Sequence, residues 1–466
     1  MKVIDREDRY YGRLVEKIFG LNTIDTVVLI KGAHSMKPPQ ILSGFRDIVP
    51  YEMMARNKIL GIIKSVFEIH GFEPVETPSL EYYATLTGKD SGECEKLMYD
   101  FTDHGDRHIG LIYDLTVPIS RFIATYPEIP KPFKRYQIQR VWRAESPQKG
   151  RYREFYQCDI DIFGSYSMLA DAEIVSIMSD ATGKMGFTDF AVHINHRFIL
   201  EGILEVANVP KDKFKEAIIT IDKLDKVGAD YVKEELDKRS IPNSGIIIQA
   251  ILLKGDYESV LKEFEKMFVT KDSGLCGLRE MHGLLNHAKD MGAKIFFDPS
   301  LARGQSYYTG PIFEVRLESP KLGSLGGGGR YNELIKNLSG QDVPAVGASF
   351  GLDRIMAVIA EIGIESSENK TVAKILVCHF GSDDTLVNAI ELSKRMRQNN
   401  IPTDLYIDKG KPDDLKTQIK YASKRGYPYV AIIGEEEITK QTFLLKDMSV
   451  GEQTMYEMTD IPKVLL

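Results

Sequence analysis

Val141-Trp142-Arg143-Ala144-Glu145-Ser146-Pro147-Gln148-Lys149-Gly150-Arg151-Tyr152-Arg153-Glu154-Phe155 reads as a strand, a polar loop carrying Pro and Gly, and a second strand. An arginine at the end of a strand is held rigidly by the sheet. Its planar fork suits bidentate contact with a phosphate better than the point charge of lysine. Arg143 stands at such a strand end. Around it, from Lys131 to Arg153, eight basic residues face the single acid Glu145, with Phe133, Tyr136, Trp142 and Tyr152 interleaved. A solvated basic face is the plain reading of such a run, but the clustering marks this segment for phosphate chemistry. The formal net charge of −7 argues against a nucleic-acid partner only as an average, because averages hide patches. No Walker loop is present, and no GxGxxG follows a strand and opens a helix, so a bound nucleotide needs another device.

Outward from this segment, the strand-like runs 97–101, 109–113, 135–143 and 154–163 lack helical crossovers of adequate length. The sheet they build should therefore be mainly antiparallel. Ahead of them, Met54, Ile59, Ile62, Ile63, Val66 and Phe67 suit one helix face over 51–70, with Gly71 placed to cap it. A strand carrying Pro74 follows at 72–77. Residues 206–288 change character to Lys-rich and Glu-rich helical stretches (211–217, 231–238, 257–267), which read as a helical insertion inside the sheet domain. Strand signals return at 294–297 and 311–317. The glycine run 326–329 reads by itself as a flexible turn, and a helix is expected at 331–338.

Past the polar linker 364–371 (IESSENKT) the pattern alternates: strand 374–380, helix 385–399, strand 402–407, helix 415–424, strand 429–434. That alternation implies right-handed crossovers and a parallel core, with a further strand at 442–447 for the edge. The fold class expected is α/β. An α+β domain (39–205 with 289–365) carries a mainly antiparallel sheet flanked by helices, interrupted by the insertion 206–288. A C-terminal α/β domain (372–466) has a largely parallel sheet, and 1–38 form an N-terminal extension.

The 466 residues are too many for one ordinary core, and 43% hydrophobic with 27% charged residues is usual for globular proteins. No apolar run reaches the roughly 18–20 residues of a membrane span. The start MKVIDREDRYY has no apolar segment of a secretory signal. Cys94, Cys158, Cys276 and Cys378 form no CxxC pair, so reduced thiols in the cytosol fit better than a zinc site or disulfides.

The opening stretch resembles motif 2 of class II aminoacyl-tRNA synthetases, and in detail the histidyl form, whose PQKGRYREF-like loop runs on into Tyr156-Gln157-Cys158-Asp159-Ile160-Asp161-Ile162-Phe163-Gly164. Gly44-Phe45-Arg46-Asp47 with Pro50 looks like the family's opening and its dimer-forming first motif. Gly351-Leu352-Asp353-Arg354 looks like motif 3. Leu301-Ala302-Arg303-Gly304-Gln305-Ser306-Tyr307-Tyr308-Thr309-Gly310 resembles the signature peculiar to histidyl enzymes. One of these alone is weak; four in the correct order are strong.

The resemblance implies ATP-dependent activation of L-histidine to histidyl-adenylate with release of pyrophosphate. The histidyl group then passes to the 3′ end of tRNA(His). It further implies ATP as substrate with Mg2+, a cytoplasmic homodimer, and an anticodon-binding role for 372–466. Arg143 and Arg303 are similar to the two arginines on the α-phosphate, and Arg354 to the one on the γ-phosphate side. Glu145 and Arg151 match loop positions around ATP. Asp114 and Thr116 match the holders of the α-ammonium, and Gln157 faces the substrate carboxylate. Asp161 matches the acid that reads an imidazole nitrogen, with Tyr307 and Tyr308 lining the pocket. A pocket that hydrogen-bonds both imidazole nitrogens can reject analogues by about 10⁴–10⁵ without editing.

Plainer readings stand beside these. His193 and His196 are better structural than metal-binding. Tyr307 and Tyr308 would ordinarily be core aromatics. Asp159 and Asp161 share one side of a strand, which could suggest a metal pair; the resemblance gives recognition to Asp161 and leaves Asp159 unassigned. The chain departs from the family at Ile112, where arginine is frequent, at Asn332, and at Gln305 and Ser306. A regulatory paralogue that charges no tRNA would lack the C-terminal unit and signature residues. A prolyl or glycyl synthetase would lack the Arg-Gly-x-x-Tyr-Tyr-Thr-Gly segment.

Overall fold

The computed structural model describes residues 39–466 except 89–93, 149, 304–306, 320–322, 364–369, 381 and 408–414. The extension 1–38, most of the linker, Lys149, Gln305 and Ser306 lie outside the described residues. The chain divides into a unit ending at Arg46 and a second unit, Asp47–Leu466. In the first, a turn is closed by the Phe45 N–H on the Leu42 carbonyl at 3.0 Å.

The strands of the second unit are, in chain order, β1 (Glu73–Pro74), β2 (Leu80–Tyr82), β3 (Asp100–Thr102), β4 (His108–Leu111), β5 (Phe133–Trp142), β6 (Glu154–Phe163), β7 (Phe190–His196), β8 (Ile295–Phe297), β9 (Pro311–Leu317), β10 (Gly326–Arg330) and β11 (Ala345–Gly351). Past the linker come β12 (Ile375–His379), β13 (Thr403–Leu405), β14 (Tyr429–Ile433), β15 (Thr442–Asp447) and β16 (Gln453–Glu457). Among the described residues the large sheet runs β1-β5-β6-β11-β10-β9-β7-β8. It is antiparallel from β5 to β7 and parallel only in the end pairs β1·β5 and β7·β8; the short connections that favour antiparallel pairing join β5 to β6 and β9 to β10.

Period-2 alternation on β6 divides its two faces. Cys158, Ile160 and Ile162 are buried in the main core, while Gln157, Asp159 and Asp161 point the other way. The helix Met168–Lys184 packs against the sheet with Ile174, Val175, Ile177 and Met178 buried. The helix Pro50–Ile69 buries Ile59, Ile63, Val66 and Phe67 and is followed by Gly71 at φ +77°. Each such fully buried side chain contributes about 1.5–3 kcal/mol. The sheet therefore has one greasy face and, at its centre, one polar face.

The helical region contains Phe214–Ile221, Ala229–Lys238, Ser244–Ile251 and Tyr257–Met267. The expected boundary at 288 falls inside the helix Asp272–Asp290. Gly274 and Gly277 of that helix lie close against the helix Arg197–Val206, so by packing it belongs to the layer beside the sheet.

Three local readings change. Residues 97–101 are not one strand: a 3₁₀ turn covers Cys94–Leu97, and β3 starts only where Asp100 finds Gly110 on β4. The glycine run is a central strand, β10, and not a turn. β9 and β11 approach it so closely that a Cβ on Gly328 would strike the Gly347 carbonyl and Ala348 Cα. In the C-terminal sheet, β13-β12-β14 is the parallel core, but β15 is antiparallel to β14 and is not the edge. That place falls to β16, which joins β15 through a turn with Gly451 at φ +78°.

Candidate active site

The polar face of β6 forms one wall of a cavity of about 270 Å³. Asp114, Thr116, Arg143, Arg151, Gln157, Asp161, Arg303, Tyr307, Tyr308 and Arg354 all line it, although they come from five separated segments of the sequence. Glu145 is not in the lining; its carboxylate lies 3.9 Å from the Arg151 guanidinium.

Arg143 follows directly on β5. Its N–H donates to the Arg153 carbonyl at 2.8 Å, which closes the hairpin, and its Nε donates to the Tyr113 carbonyl at 2.9 Å. The guanidinium rests over the Phe155 ring at 5.1 Å. Arg303 is held differently. Its Nη1 reaches the Phe313 carbonyl at 3.3 Å and Glu314 at 3.8 Å, and it lies over the Tyr308 ring at 5.7 Å. Any side chain on Gly327 would collide with that guanidinium, so the glycine strand makes the room Arg303 occupies. Arg354 is half-buried beside Arg151, and burial together with that like charge lowers its pKa. A pair of cations held so favours an anion between them.

Arg354 owes its position to its neighbour in sequence. Asp353 accepts from Arg56 Nη1 at 2.7 Å and from the Tyr156 N–H at 3.1 Å, tying the start of the helix Leu352–Ile362 to β6 and to the helix Pro50–Ile69. Asp353 and Arg56 are both buried, so each needs the other.

The cavity's acids are more deeply buried than its arginines. Asp114 precedes the helix Thr116–Thr125 and accepts from the Val117 N–H at 3.1 Å; its Oδ2 has no hydrogen-bond partner among the described residues. Burial pushes its carboxyl up to about 6, against the pull of that N–H and of Arg143. Gln157 bonds through its amide to Ser349 Oγ at 3.0 Å. Asp161 faces Arg135 across the β5–β6 pair, with Nη2 to Oδ2 at 2.5 Å, and its Oδ1 accepts from the Tyr331 hydroxyl. On its other side it faces Gly347, where a Cβ would overlap the carboxylate. Tyr307 and Tyr308 have ring centroids 4.7 Å apart, and burial raises both phenols.

Several cavity residues had no role in the sequence reading: Asp159, Glu314 and Ser349, with Arg135 behind them; Tyr331, which ends the glycine run that in the family borders the amino-acid and adenosine pocket, lines the cavity as well. Asp159 stands opposite Ser349, and burial pushes it up to about 7. Arg135 had a readable signal, since two strands joined by a loop centred on Gln148 pair it with Asp161. The others depend on contacts distant in sequence.

Elsewhere, His193 Nδ1 meets Asp298 at 2.9 Å and His196 Nε2 meets Glu280 at 2.8 Å, which are structural pairings. Ile112 is fully buried in a small core with Leu86, Tyr113 and Val141. Among the described residues no helix is long and apolar enough to cross a membrane.

Residues 44–355 match a family model described as Histidyl-tRNA synthetase, and residues 373–466 match one described as Anticodon binding domain. The chain is 39% identical over 445 residues to a protein of Christiangramia forsetii named Histidine--tRNA ligase, covering 89% of this chain and 96% of that one. It is 39% identical over 429 residues to one of the same name from Helicobacter pylori, covering 90% and 96%. The crystal structure of a histidyl-tRNA synthetase from Nostoc sp. superposes with a TM-score of 0.80 at 30% identity, covering 90% of this chain and 96% of that chain.

Proposed function

The chain belongs to the histidyl-tRNA synthetase family, and from that premise we propose which residues perform the family's reaction, the ATP-dependent ligation of histidine to tRNA. The observation that carries the reading is that Arg143 and Arg303, far apart in the chain, line one cavity with buried Asp114 and Asp161. Four arginines offer charge to a triphosphate, and the acids offer it to an amino acid with a basic side chain.

Asp114 and Thr116 hold the α-ammonium. The cation restores the ionised form of a carboxyl that burial disfavours. Gln157, whose NH2 donates to Ser349 Oγ, has a second amide proton to offer the substrate carboxylate, which leaves the Ser349 hydroxyl proton for Asp159. Asp161, fixed by Arg135 and Tyr331, accepts an N–H from the imidazole through its remaining lone pairs.

The histidine carboxylate oxygen attacks the α-phosphorus of ATP. Pyrophosphate leaves from the opposite side, and no general base is required. Negative charge grows on the α-phosphate oxygens in the pentacoordinate transition state, where Arg143 and Arg303 meet it. Arg354, with Arg151 and the Glu145 that pairs with it, faces the departing phosphates. The 3′-terminal hydroxyl of the tRNA then attacks the activated carbonyl and AMP leaves. Among the described residues no cluster of three or more His, Cys, Asp or Glu could hold a metal. Mg2+ bound with ATP would add neutralisation of the phosphate charge to that of the arginines. Residues 372–466 bind the anticodon, and 39–205 with 289–365 form the catalytic domain together with the helix Asp272–Asp290 that packs beside its sheet, which leaves the insertion to the helices between 206 and that helix. The working form is a cytoplasmic homodimer.

Arg303→Ala tests the assignment. ATP–pyrophosphate exchange should fall about 10²–10³-fold with circular dichroism unchanged. Near-normal exchange would remove Arg303 from the α-phosphate. Deleting 372–466 should impair tRNA charging far more than exchange; an equal loss with the dimer intact would refute the anticodon role.

A further inference from the structure

We propose that Asp159 is a second reader of the substrate side chain, sharing one proton with the imidazole nitrogen that Asp161 does not contact. Asp159 precedes Asp161 by two residues on β6 and so lies on the same face, in the wall of the same cavity. It is 3% exposed, and its Oδ1 has no hydrogen-bond partner among the described residues. Asp161, equally buried, is ion-paired through Oδ2 to Arg135, a contact that makes no hydrogen bond, and accepts from Tyr331 through Oδ1. The two carboxyls therefore share one buried cation, and Arg135 is ion-paired to the other one.

The charged and polar groups around Asp159 are unevenly matched. Arg135 acts from β5, Asp161 from β6 itself, Asp114 from the segment before the helix Thr116–Thr125, and Ser349 from β11. Tyr308 and Tyr331 also feel its charge. One cation and one hydroxyl stand against two other carboxyls and the cost of burial.

A neutral imidazole presents one N–H and one bare nitrogen. Asp161, kept anionic by Arg135, accepts the N–H. The bare nitrogen then needs a donor, and Asp159 supplies it as a carboxylic acid. If the proton moves across, an imidazolium donates to the Asp159 carboxylate instead. Both descriptions hold the same atoms and the same net charge. A side chain without a second ring nitrogen leaves the Asp159 carboxyl buried and unanswered, which adds to discrimination. This inference rests on the reading of the cavity as the histidine site.

The test combines histidine-dependent ATP–pyrophosphate exchange with calorimetry of histidine binding in two buffers of different ionisation enthalpy. The wild-type chain should take up about one proton per histidine at roughly pH 8, where both Asp159 and free imidazole are largely deprotonated. Asp159→Asn should abolish that uptake and raise KM for histidine roughly 10-fold to 100-fold, leaving KM for ATP unchanged. Asp159→Ser repeats the measurement should the asparagine variant fail to accumulate. Wild-type KM and wild-type proton uptake in these variants would overturn the proposal. Asp114→Asn separates the two levels of failure. If it raises KM for histidine while Asp159→Asn does not, the cavity reading stands and the role of Asp159 falls; if neither has an effect, both fall.

Discussion

Replacing Asp159 with asparagine should stabilise the protein at about pH 8 without histidine, and its stability relative to wild type should rise between roughly pH 5 and pH 8. The Asp159 carboxyl titrates at about 7 in the fold, against an ordinary 3.8. The folded chain thus holds this proton more tightly than the unfolded chain does. Stability is greatest below 3.8, where both forms are protonated, and is lost progressively as pH rises to about 7. Above that value both forms are ionised, and the carboxylate costs about 4 kcal/mol at 1.36 kcal/mol per pKa unit. Asparagine keeps the shape without the charge. Its own unpaired amide costs about 1–3 kcal/mol at every pH, so the difference between two pH values isolates the charge. Between roughly pH 5 and pH 8 the advantage of the variant should widen by about 3 kcal/mol. The chain's single tryptophan is Trp142, at the end of β5, where its Nε1 donates to Glu154 at 2.8 Å. Its fluorescence during urea unfolding therefore reports on the hairpin that carries Asp159. An advantage equal at both pH values, or one that shrinks with pH, would refute the reasoning.

Gly347→Ala should push the new methyl into the Asp161 carboxylate, costing about 1–3 kcal/mol of stability and raising KM for histidine far more than KM for ATP; equal effects on both would separate Asp161 from histidine. Arg56→Met removes the buried partner of Asp353 and should cost about 3–5 kcal/mol in urea unfolding, with a fall in the exchange rate because the helix bearing Arg354 starts at that ion pair. Unchanged exchange in a folded Arg56→Met protein would show that Arg354 is positioned by other contacts.

The hairpin that opens the account was legible because each of its parts carries a local signal: two strand runs, and a proline and a glycine between them. Its register was not read: only the pairing seen in the structure, symmetric about Gln148, sets Arg135 against Asp161 and Gln137 against Asp159. Asp114, Arg303 and the two tyrosines were found only through their likeness to family motifs, because no periodicity brings 114, 303 and 161 together. The glycine strand was misread for a physical reason. Alternation needs side chains; what makes β10 a strand is its pairing with β9 and β11, and what requires glycine there is the crowding of Arg303 against Gly327 and of Tyr308 against Gly329, none of it visible locally. Glu314 was readable as part of a strand and shares its face with Arg316 two residues on, but its place beside Arg303 carried no local signal. Strand β16 escaped notice because Gln453, Thr454 and Met455 are exposed and give no apolar face.

The central claim is that the cavity between β6 and the glycine strand binds histidine and ATP together. Amino-acid-dependent ATP–pyrophosphate exchange, measured for the wild-type chain and for Asp161→Asn across a range of histidine concentrations, tests it most directly. Histidine should drive exchange, proline and glycine should not, and the variant should need far more histidine while its KM for ATP stays the same. Exchange driven by proline or glycine, or an Asp161→Asn enzyme saturating at the wild-type histidine concentration, would contradict it.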